Sequence, residues 1–493
     1  VSKIEIEFDK LYPLPKGWQW SPLEDLMVTP KQDIVDGPFG SNLKAYEYTD
    51  VGVPIARLQN IDRNEFVFKN IKYISKDKAE YLDRHNFKPG DILITKLGYP
   101  LGEACIAPEK IEHGIIVADL VRVRVPEYGI DRKYLTYAIN SPFLIKQFEN
   151  HTKGTTRPRV NLGIIRQLPI PLAPLEQQKR IVAEIEKHFS RLDEAVANLK
   201  CVKNNLKRYK AAVLKSAVEG KLTEEWRKQH PDVEPADKLL ERILAERREK
   251  WQGRGKYKEP VGPDTSGLPE LPEGWVWVSV EQIAHVGTGA TPLRSRHEYY
   301  ENGNVPWITS GALNDEFVSR ANEYITDIAV NETNAKLFPV HTLLVAMYGE
   351  GKTRGKVSEL LIEAATNQAC AAIVTSDLAK KVRKYVKLFF LKNYEDIRRL
   401  SSGGVQPNLN LGHIKQTAIP LPPLAEQYQI VAEVERLLSI VAGAETQVDA
   451  NMRRADLLRQ SILKQAFSGQ LVPQDPDDEP AGRVKAQGAV FLN

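Results

Sequence analysis

Ile170 to Glu186 reads IPLAPLEQQKRIVAEIE, and Ile419 to Glu435 reads IPLPPLAEQYQIVAEVE. Superposed at an offset of 249, the two stretches agree at 11 of 17 positions. Each opens on prolines: Pro171 and Pro174 in one, Pro420, Pro422 and Pro423 in the other. Proline has no N–H to donate and suits a first helical turn, so both stretches end one element and start a helix. Glu176 and Glu426 sit in that first turn, where the helix dipole favours an anion. An apolar seam follows through Ile185, Phe189, Leu192, Val196, Leu199, Leu206 and Val213. The second copy answers with Val434, Leu438, Val441, Val448, Met452, Ala455 and Ile462. Steps of three and four residues make this a heptad seam, interrupted in the first copy by Lys203 and Lys210. No proline breaks either run before Gly220 or Gly469. Each copy therefore predicts a helix of about 45 residues, roughly 65 Å long. So narrow a seam needs a partner helix, and the two copies form the obvious pair, an antiparallel coiled coil.

The repetition extends outward. NLGII at Asn161 matches NLGHI at Asn410, and LKSAVEGKL at Leu214 matches LKQAFSGQL at Leu463. With a four-residue slip, HPDVEPA at His230 matches DPDDEPA at Asp475. LPKGWQW at Leu14 matches LPEGWVW at Leu271 at an offset of 257. Between these anchors little survives beyond echoes such as VPIARLQ at Val53 and VPWITSG at Val305. The period is far too long for a solenoid of 20–50-residue repeats. The chain reads as two copies of one unit, a variable globular domain followed by a constant helix.

The expected organisation is a first globular domain over 1–170, its helix over 171–222, and a charged segment and linker over 223–268. A second globular domain over 269–419, its helix over 420–470 and a tail over 471–493 follow. The tract KLLERILAERREKW (Lys238–Trp251) predicts a short third helix, and the Gly/Pro-rich stretch after it reads as linker. Both globular halves read as mixed α/β, with strand-like runs such as DILITK (Asp91), LVRVRV (Leu120) and TLLVAMY (Thr342). The fold class is therefore α/β (α+β): two globular domains separated by two long antiparallel helices, with a pseudo-twofold internal repeat.

Length and composition agree with several ordinary folded domains. The chain has 493 residues, 42% hydrophobic and 27% charged, with a net charge of +4 that permits nucleic-acid binding without demanding it. Three scattered cysteines, Cys105, Cys201 and Cys370, argue against a disulfide framework or a zinc site. No signal peptide and no bilayer-long apolar run is read, so the expectation is a cytoplasmic protein with no membrane partner. Lys200, Lys203, Lys207, Arg208, Lys210 and Lys215 cluster late in the first helix, most simply as a solvated face.

Catalytic signatures are missing from the sequence. There is no HExxH pair, no GxSxG elbow and no Gly-rich turn of the kind that seats a dinucleotide or S-adenosylmethionine. AMYGEGKT (Ala346–Thr353) fits a relaxed phosphate-loop pattern, but RGKVSE after it restarts a strand better than a helix. The loops are rich in the side chains that contact phosphates and base edges. They include DGPFGSNLK (Asp36), KLGYPLG (Lys96), HTKGTTRPR (His151), GTGATPLRSR (Gly287), YGEGKTRGK (Tyr348) and SSGGVQPN (Ser401). The candidate DNA-binding residues are Lys44, Lys96, Lys153, Thr155, Arg157 and Arg159 in the first half, and Arg294, Arg296, Lys352, Arg354, Ser401 and Gln406 in the second. No catalytic, cofactor or metal residue is expected.

The doubled PLxxQxxIVAE opening, the trailing LKxAxxGxL and the LPxGWxW phrase before each variable domain resemble the specificity subunit of type I DNA restriction–modification systems. The resemblance covers nearly the whole chain. It implies two target-recognition domains, each reading one half of a split double-stranded DNA site. It implies helices that act as spacer and docking surface for two methyltransferase subunits, with restriction subunits joining the complex. S-adenosylmethionine, ATP and Mg are then expected on those partners and none on this chain. The competing class is a non-catalytic bivalent protein-binding scaffold on a coiled-coil spacer, which would show no DNA sequence preference.

Overall fold

The computed structural model of the chain describes residues 11–40, 42–99, 101–152, 158–252, 255–349, 353–376, 378–399 and 409–481. The chain divides into two compact units, residues 1–200 with 449–493 and residues 201–448. Both boundaries fall inside long helices. The predicted pair is present as Leu175–Val218 and Leu424–Phe467, each of 44 residues. No described helix is long and apolar enough to cross a membrane.

Unit 1 holds two four-stranded sheets. One runs Ile34–Asp36, Leu120–Val123, Ile92–Thr95, Ala104–Ile106, antiparallel throughout. The other runs Lys72–Ile74, Val53–Ala56, Gly114–Ile116, Asn86–Phe87, with its central pair parallel. Unit 2 repeats the plan. Ala284–Thr288, Cys370–Thr375, Leu343–Ala346 and Val357–Leu360 form the first sheet, with Phe317–Val318 added at its edge. Glu323–Ile325, Val305–Ile308, Ala364–Thr366 and Leu337–Phe338 form the second, again with a parallel central pair. Sheet strands buried throughout, such as Ile92–Thr95 and Leu343–Ala346, explain the continuous apolar runs in the sequence.

Each long helix contributes one end to each unit. In unit 1, Ile181, Ile185 and Phe189 of the first helix share a core with Leu463, Ala466 and Phe467 of the second. In unit 2, Val213, Leu214 and Ala217 of the first join Ile430, Val431 and Val434 of the second. The start of one helix thus lies with the end of the other, which makes the pair antiparallel, as the seam predicts. Every seam residue named above is buried or half-buried, whereas Lys200 to Asn205 around the first helix's interruption is exposed throughout.

The repeated phrases converge on two equivalent junctions. In unit 1, Gln19–Pro22 pairs with Pro169–Leu172. The Trp18 indole N–H donates to Gln177 Oε1 at 2.9 Å and Gln474 Oε1 at 3.2 Å. Tyr134 Oη donates to Pro171 O, and Ala481 N–H donates to Gly17 O at 3.0 Å. In unit 2, Val276–Ser279 pairs with Ala418–Leu421. The Trp275 indole N–H donates to Glu426 Oε2 at 2.8 Å, Tyr385 Oη donates to Pro420 O, and Ala236 N–H donates to Gly274 O at 2.8 Å. Gly220 and Gly469 end the helices at φ +70° and +72°, and Lys221 N–H and Gln470 N–H reach back five residues to Ser216 O and Gln465 O. This left-handed closure favours glycine, and it turns the chain toward Trp275 and Pro272 in unit 2 and toward Pro15 in unit 1.

The predicted third helix spans Ala236–Glu249. It is more than part of a linker: Leu239 and Ile243 are buried in the core of unit 2, and Glu246 accepts from Ser376 Oγ at 2.6 Å.

Candidate nucleic-acid interface

In unit 1 the loops that leave the two sheets are tied to one another by their backbones. Lys96 N–H donates to Asp119 O at 2.9 Å, and Val160 N–H to Lys96 O at 3.0 Å. Gly98 N–H donates to Pro158 O at 2.8 Å, and Val117 N–H to Ala56 O at 3.1 Å. Gly37 lies so close to the Val117 carbonyl that any Cβ there would collide with it. Segments 37–40, 57–62, 96–99 and 117–119 thereby surround a cavity of about 660 Å³ lined by Tyr48, Arg57, Gln59, Asp62, Tyr99, Glu103 and Asp119, among others. Burial pushes the Glu103 carboxyl up, opposed by Arg63 at 3.1 Å. Gln59 Nε2 donates to Lys69 O at 3.2 Å, which leaves its carbonyl oxygen as the available acceptor.

Unit 2 uses the same frame. Met347 N–H donates to Ala369 O at 2.8 Å, Leu409 N–H to Met347 O at 3.2 Å, and Asn367 N–H to Ile308 O at 3.0 Å. Gly289 presses on the Thr366 carbonyl. Strand registers match Lys96 with Met347, Arg57 with Thr309, Gln59 with Gly311, Asp119 with Ala369 and Phe39 with Thr291. The backbone frame is common to both units, and the side chains on it differ in charge, size and hydrogen-bonding capacity.

The structure distributes the candidate residues unevenly over this frame. Arg159 is exposed and bridges to Leu97, one residue from Lys96. Lys96 itself is ion-paired with Asp36 at 2.6 Å and largely covered. Lys44 is exposed, its ammonium 5.6 Å from the Tyr46 ring. Arg294 lies over Tyr300 at 4.6 Å and Trp307 at 5.1 Å and pairs with Glu323 at 2.6 Å. Arg296 lies over Tyr299 and pairs with Glu298 and Glu332. Arg354 is half-buried in the turn before Val357–Leu360. Lys153, Thr155, Arg157, Lys352, Ser401 and Gln406 lie outside the described residues. Sequence reasoning passed over Arg57, Gln59, Asp119, Phe39 and Tyr99, although GPFG and LGYP carry the two aromatics in glycine-flanked loops where a large exposed ring is unusual.

The AMYGEGKT stretch is not a phosphate loop. Gly355 N–H donates to Ala346 O at 2.8 Å, and the chain returns as the strand Val357–Leu360, with Val357 opposite Val345. The segment joins two antiparallel strands, and among the described residues no helix N-terminus follows to receive a phosphate.

A family described as the type I restriction modification DNA specificity domain matches twice, at residues 15–206 and 272–448. The type I restriction enzyme EcoKI specificity subunit of Escherichia coli (strain K12) is 23% identical over 95% of this chain and 92% of its own length. The EcoDI specificity subunit of Escherichia coli is 27% identical over 68% of this chain and 70% of its own. The HsdS subunit from Thermoanaerobacter tengcongensis shares the fold at a TM-score of 0.51 and 19% identity, covering 94% of this chain and 99% of that one. A chain from a structure of type I R-M system assembly and conformational transition does so at 0.60 and 19%, covering 93% and 100%. The two matched spans take in both loop frames and most of both helices, and the chain belongs to the type I restriction–modification DNA specificity family, whose members recognise DNA and are not themselves catalysts.

Proposed function

We propose that each unit reads one half of a bipartite double-stranded DNA site, and that the two long helices space the readers and dock two methyltransferase subunits. Restriction subunits join that complex. S-adenosylmethionine, ATP and Mg belong to those partners. The observation that carries this reading is the repeated loop frame. The equivalent bonds Lys96 N–H to Asp119 O and Met347 N–H to Ala369 O hold different side chains in the same places. Constant backbone with divergent polar side chains suits two readers of different sequences, because base edges are distinguished by side-chain donors and acceptors. The junctions repeat in both units, so each helix start offers a similar face, which suits recruitment of two identical partners.

The test is to express the chain with its methyltransferase subunits and sequence the methylated DNA. A split site is expected. Exchanging segment 57–62 for its unit 2 equivalent changes one half-word and leaves the other intact. Methylation without sequence preference, or a change in both half-words, overturns the reading.

A further inference from the structure

Among the exposed aromatics of unit 1, which include Tyr46 and Tyr81, Phe39 and Tyr99 are the two that fall at the cavity segments. Their rings are 78% and 77% exposed. Tyr99 lines the cavity, and Phe39 lies in the chain between two residues that line it, Pro38 and Gly40. Large aromatics left in water at that level contribute nothing to the core, and beside a cavity they offer faces that fit a flat apolar ligand. The cavity itself is polar. Arg57, Gln59, Asp62 and Asp119 line it, and Glu103, only 7% exposed, closes it. This is a set of donors and acceptors with aromatic faces beside it. Its volume of about 660 Å³ leaves ample room for one nucleobase.

We infer that this cavity receives a nucleobase unstacked from the first half-site, with Phe39 and Tyr99 as the wedge that takes its place in the stack. The inference rests on the proposed DNA-reading role of unit 1. Apolar side chains inserted at a base step unstack it, and a released base is read by hydrogen bonds to its pairing edge. The carboxylates of Asp62 and Asp119 accept exocyclic amino groups, as the Gln59 carbonyl does. They would repel a phosphate, so the cavity selects the base and not the backbone. Among its described residues, unit 2 does not repeat the device. Thr291 stands at the position of Phe39, Gly311 at that of Gln59 and Ala369 at that of Asp119, and the second half-site is therefore read without it.

The experiment uses the full chain with its methyltransferase subunits and 2-aminopurine placed in turn at each base of both half-words except the methylated ones. Fluorescence is expected to rise at one position of the first half-word and at none of the second. Phe39→Ala with Tyr99→Ala abolishes that rise and weakens binding between about fivefold and about 150-fold, the range for losing one base–aromatic stack. Both rings are exposed, so the variant keeps its core, and retained sequence preference at the second half-word checks this. Asp119→Asn keeps the rise and alters the base preferred at that position. No rise anywhere in a complex that methylates its bipartite site, or a rise that survives the double variant, overturns the inference and leaves the DNA-reading role standing. A complex with no sequence preference at all overturns that role instead.

Discussion

Trp275 donates its indole N–H to Glu426 at 2.8 Å, whereas its counterpart Trp18 donates to a glutamine, Gln177, at 2.9 Å. The two junctions share a design, but the indole acceptor is charged in one and neutral in the other. Glu426 is fully buried, and it also accepts from Thr223 Oγ at 2.7 Å and pairs with Arg227 at 3.1 Å. Three donors compensate the buried carboxylate, two of them from the chain just past the first long helix.

Glu426→Ala should therefore be costly. It leaves the Trp275 N–H without its acceptor and removes the carboxylate from the Arg227 guanidinium, which keeps its bond to Gly220 O. Removing one partner of a buried pair costs about 3–5 kcal/mol, and the low end applies because the Arg227 side chain is 20% exposed. The reciprocal change Gln177→Glu puts a carboxylate beside Gln474, where Arg180, one helical turn along, is already paired with Asp478, and should also destabilise unit 1. Urea denaturation followed by tryptophan fluorescence measures both. An unchanged midpoint for Glu426→Ala contradicts the role given to this carboxylate.

Glu246 predicts a pH dependence. Burial alone would raise its carboxyl, but bonds from Lys250, Ser376 and the Leu378 N–H outweigh that and hold it below the usual carboxylate range. A carboxylate depressed on folding stabilises the protein above its unfolded value, and the contribution is lost as pH falls through the folded one. The attachment of Ala236–Glu249 to unit 2 should thus weaken in acid, below about pH 4. Glu246→Gln should lower stability at neutral pH by about 1 kcal/mol and flatten the acid slope. Hydrogen exchange of residues 236–249 against pH is the measurement, and an equally steep slope in the variant contradicts the assignment.

The helices were legible because their information is local. Prolines at 171 and 420, seams in steps of three and four, and glycines at 220 and 469 each act within a few residues of themselves. The loop frame was not, because it depends on pairings between distant segments. Nothing near Lys96 announces Asp36, which takes its charge, and nothing near Arg294 announces that Tyr300, Trp307 and Glu323 will hold it. Composition marks a loop as basic, whereas only the fold tells which cations are already paired. In the segment after Gly220 the third helix was legible, but its anchoring was not: Leu239 and Ile243 bury one face of it in the core of unit 2.

Loop substitutions separate reading from holding. Alanine at Lys153, Thr155, Arg157 and Arg159 together should weaken DNA binding and flatten its salt dependence, because a phosphate that no cation neutralises keeps its condensed counterions. Any base contact among them adds about 1–3 kcal/mol and relaxes one position of the site. Alanine at Lys96 should act mainly on stability, through its pair with Asp36. Binding titrations at several salt concentrations decide between these outcomes, and an unaltered affinity in the fourfold variant removes the loop from the interface.

A fragment of residues 1–252 offers a test with opposite signs. It carries one reader and one long helix whose seam is unsatisfied alone, and a twofold dimer is the commonest way to close such a surface. In that dimer each Arg227 would meet Gln177 of the other copy where Glu426 stands in the full chain. Gln177→Glu should then tighten the fragment dimer, by on the order of tenfold for each charged hydrogen bond formed, while destabilising the intact chain. With methyltransferase subunits the dimer should methylate a symmetric site built from the first half-word. Sedimentation at micromolar concentration reads the first effect. A monomeric fragment, or a Gln177→Glu fragment that pairs no more tightly, breaks the junction argument.

Leu199 and Val448 lie beside the boundaries between the units, at Lys200 and Asp449. If the helices set the distance between the readers, lengthening both at these points should lengthen the spacer in the DNA site. Four residues inserted after each add about 6 Å of helix, close to two base pairs at about 3.4 Å each. Four residues also exceed one turn by only about 40°, so Phe189 and Leu192 on one side of the insertion and Leu206 and Val213 on the other still face the partner helix. Two residues instead turn the seam by about 200° and carry one half of it away from its partner. Because the seam residues are buried or half-buried in both helices, that rotation exposes apolar surface in both units. The expected result is an active complex with a longer spacer and unchanged half-words for the four-residue insertion, and failed assembly for the two-residue one. Sequencing the methylated sites of each variant reads the outcome directly. An unchanged spacer in an active four-residue variant would mean that contacts outside these helices fix the reading distance.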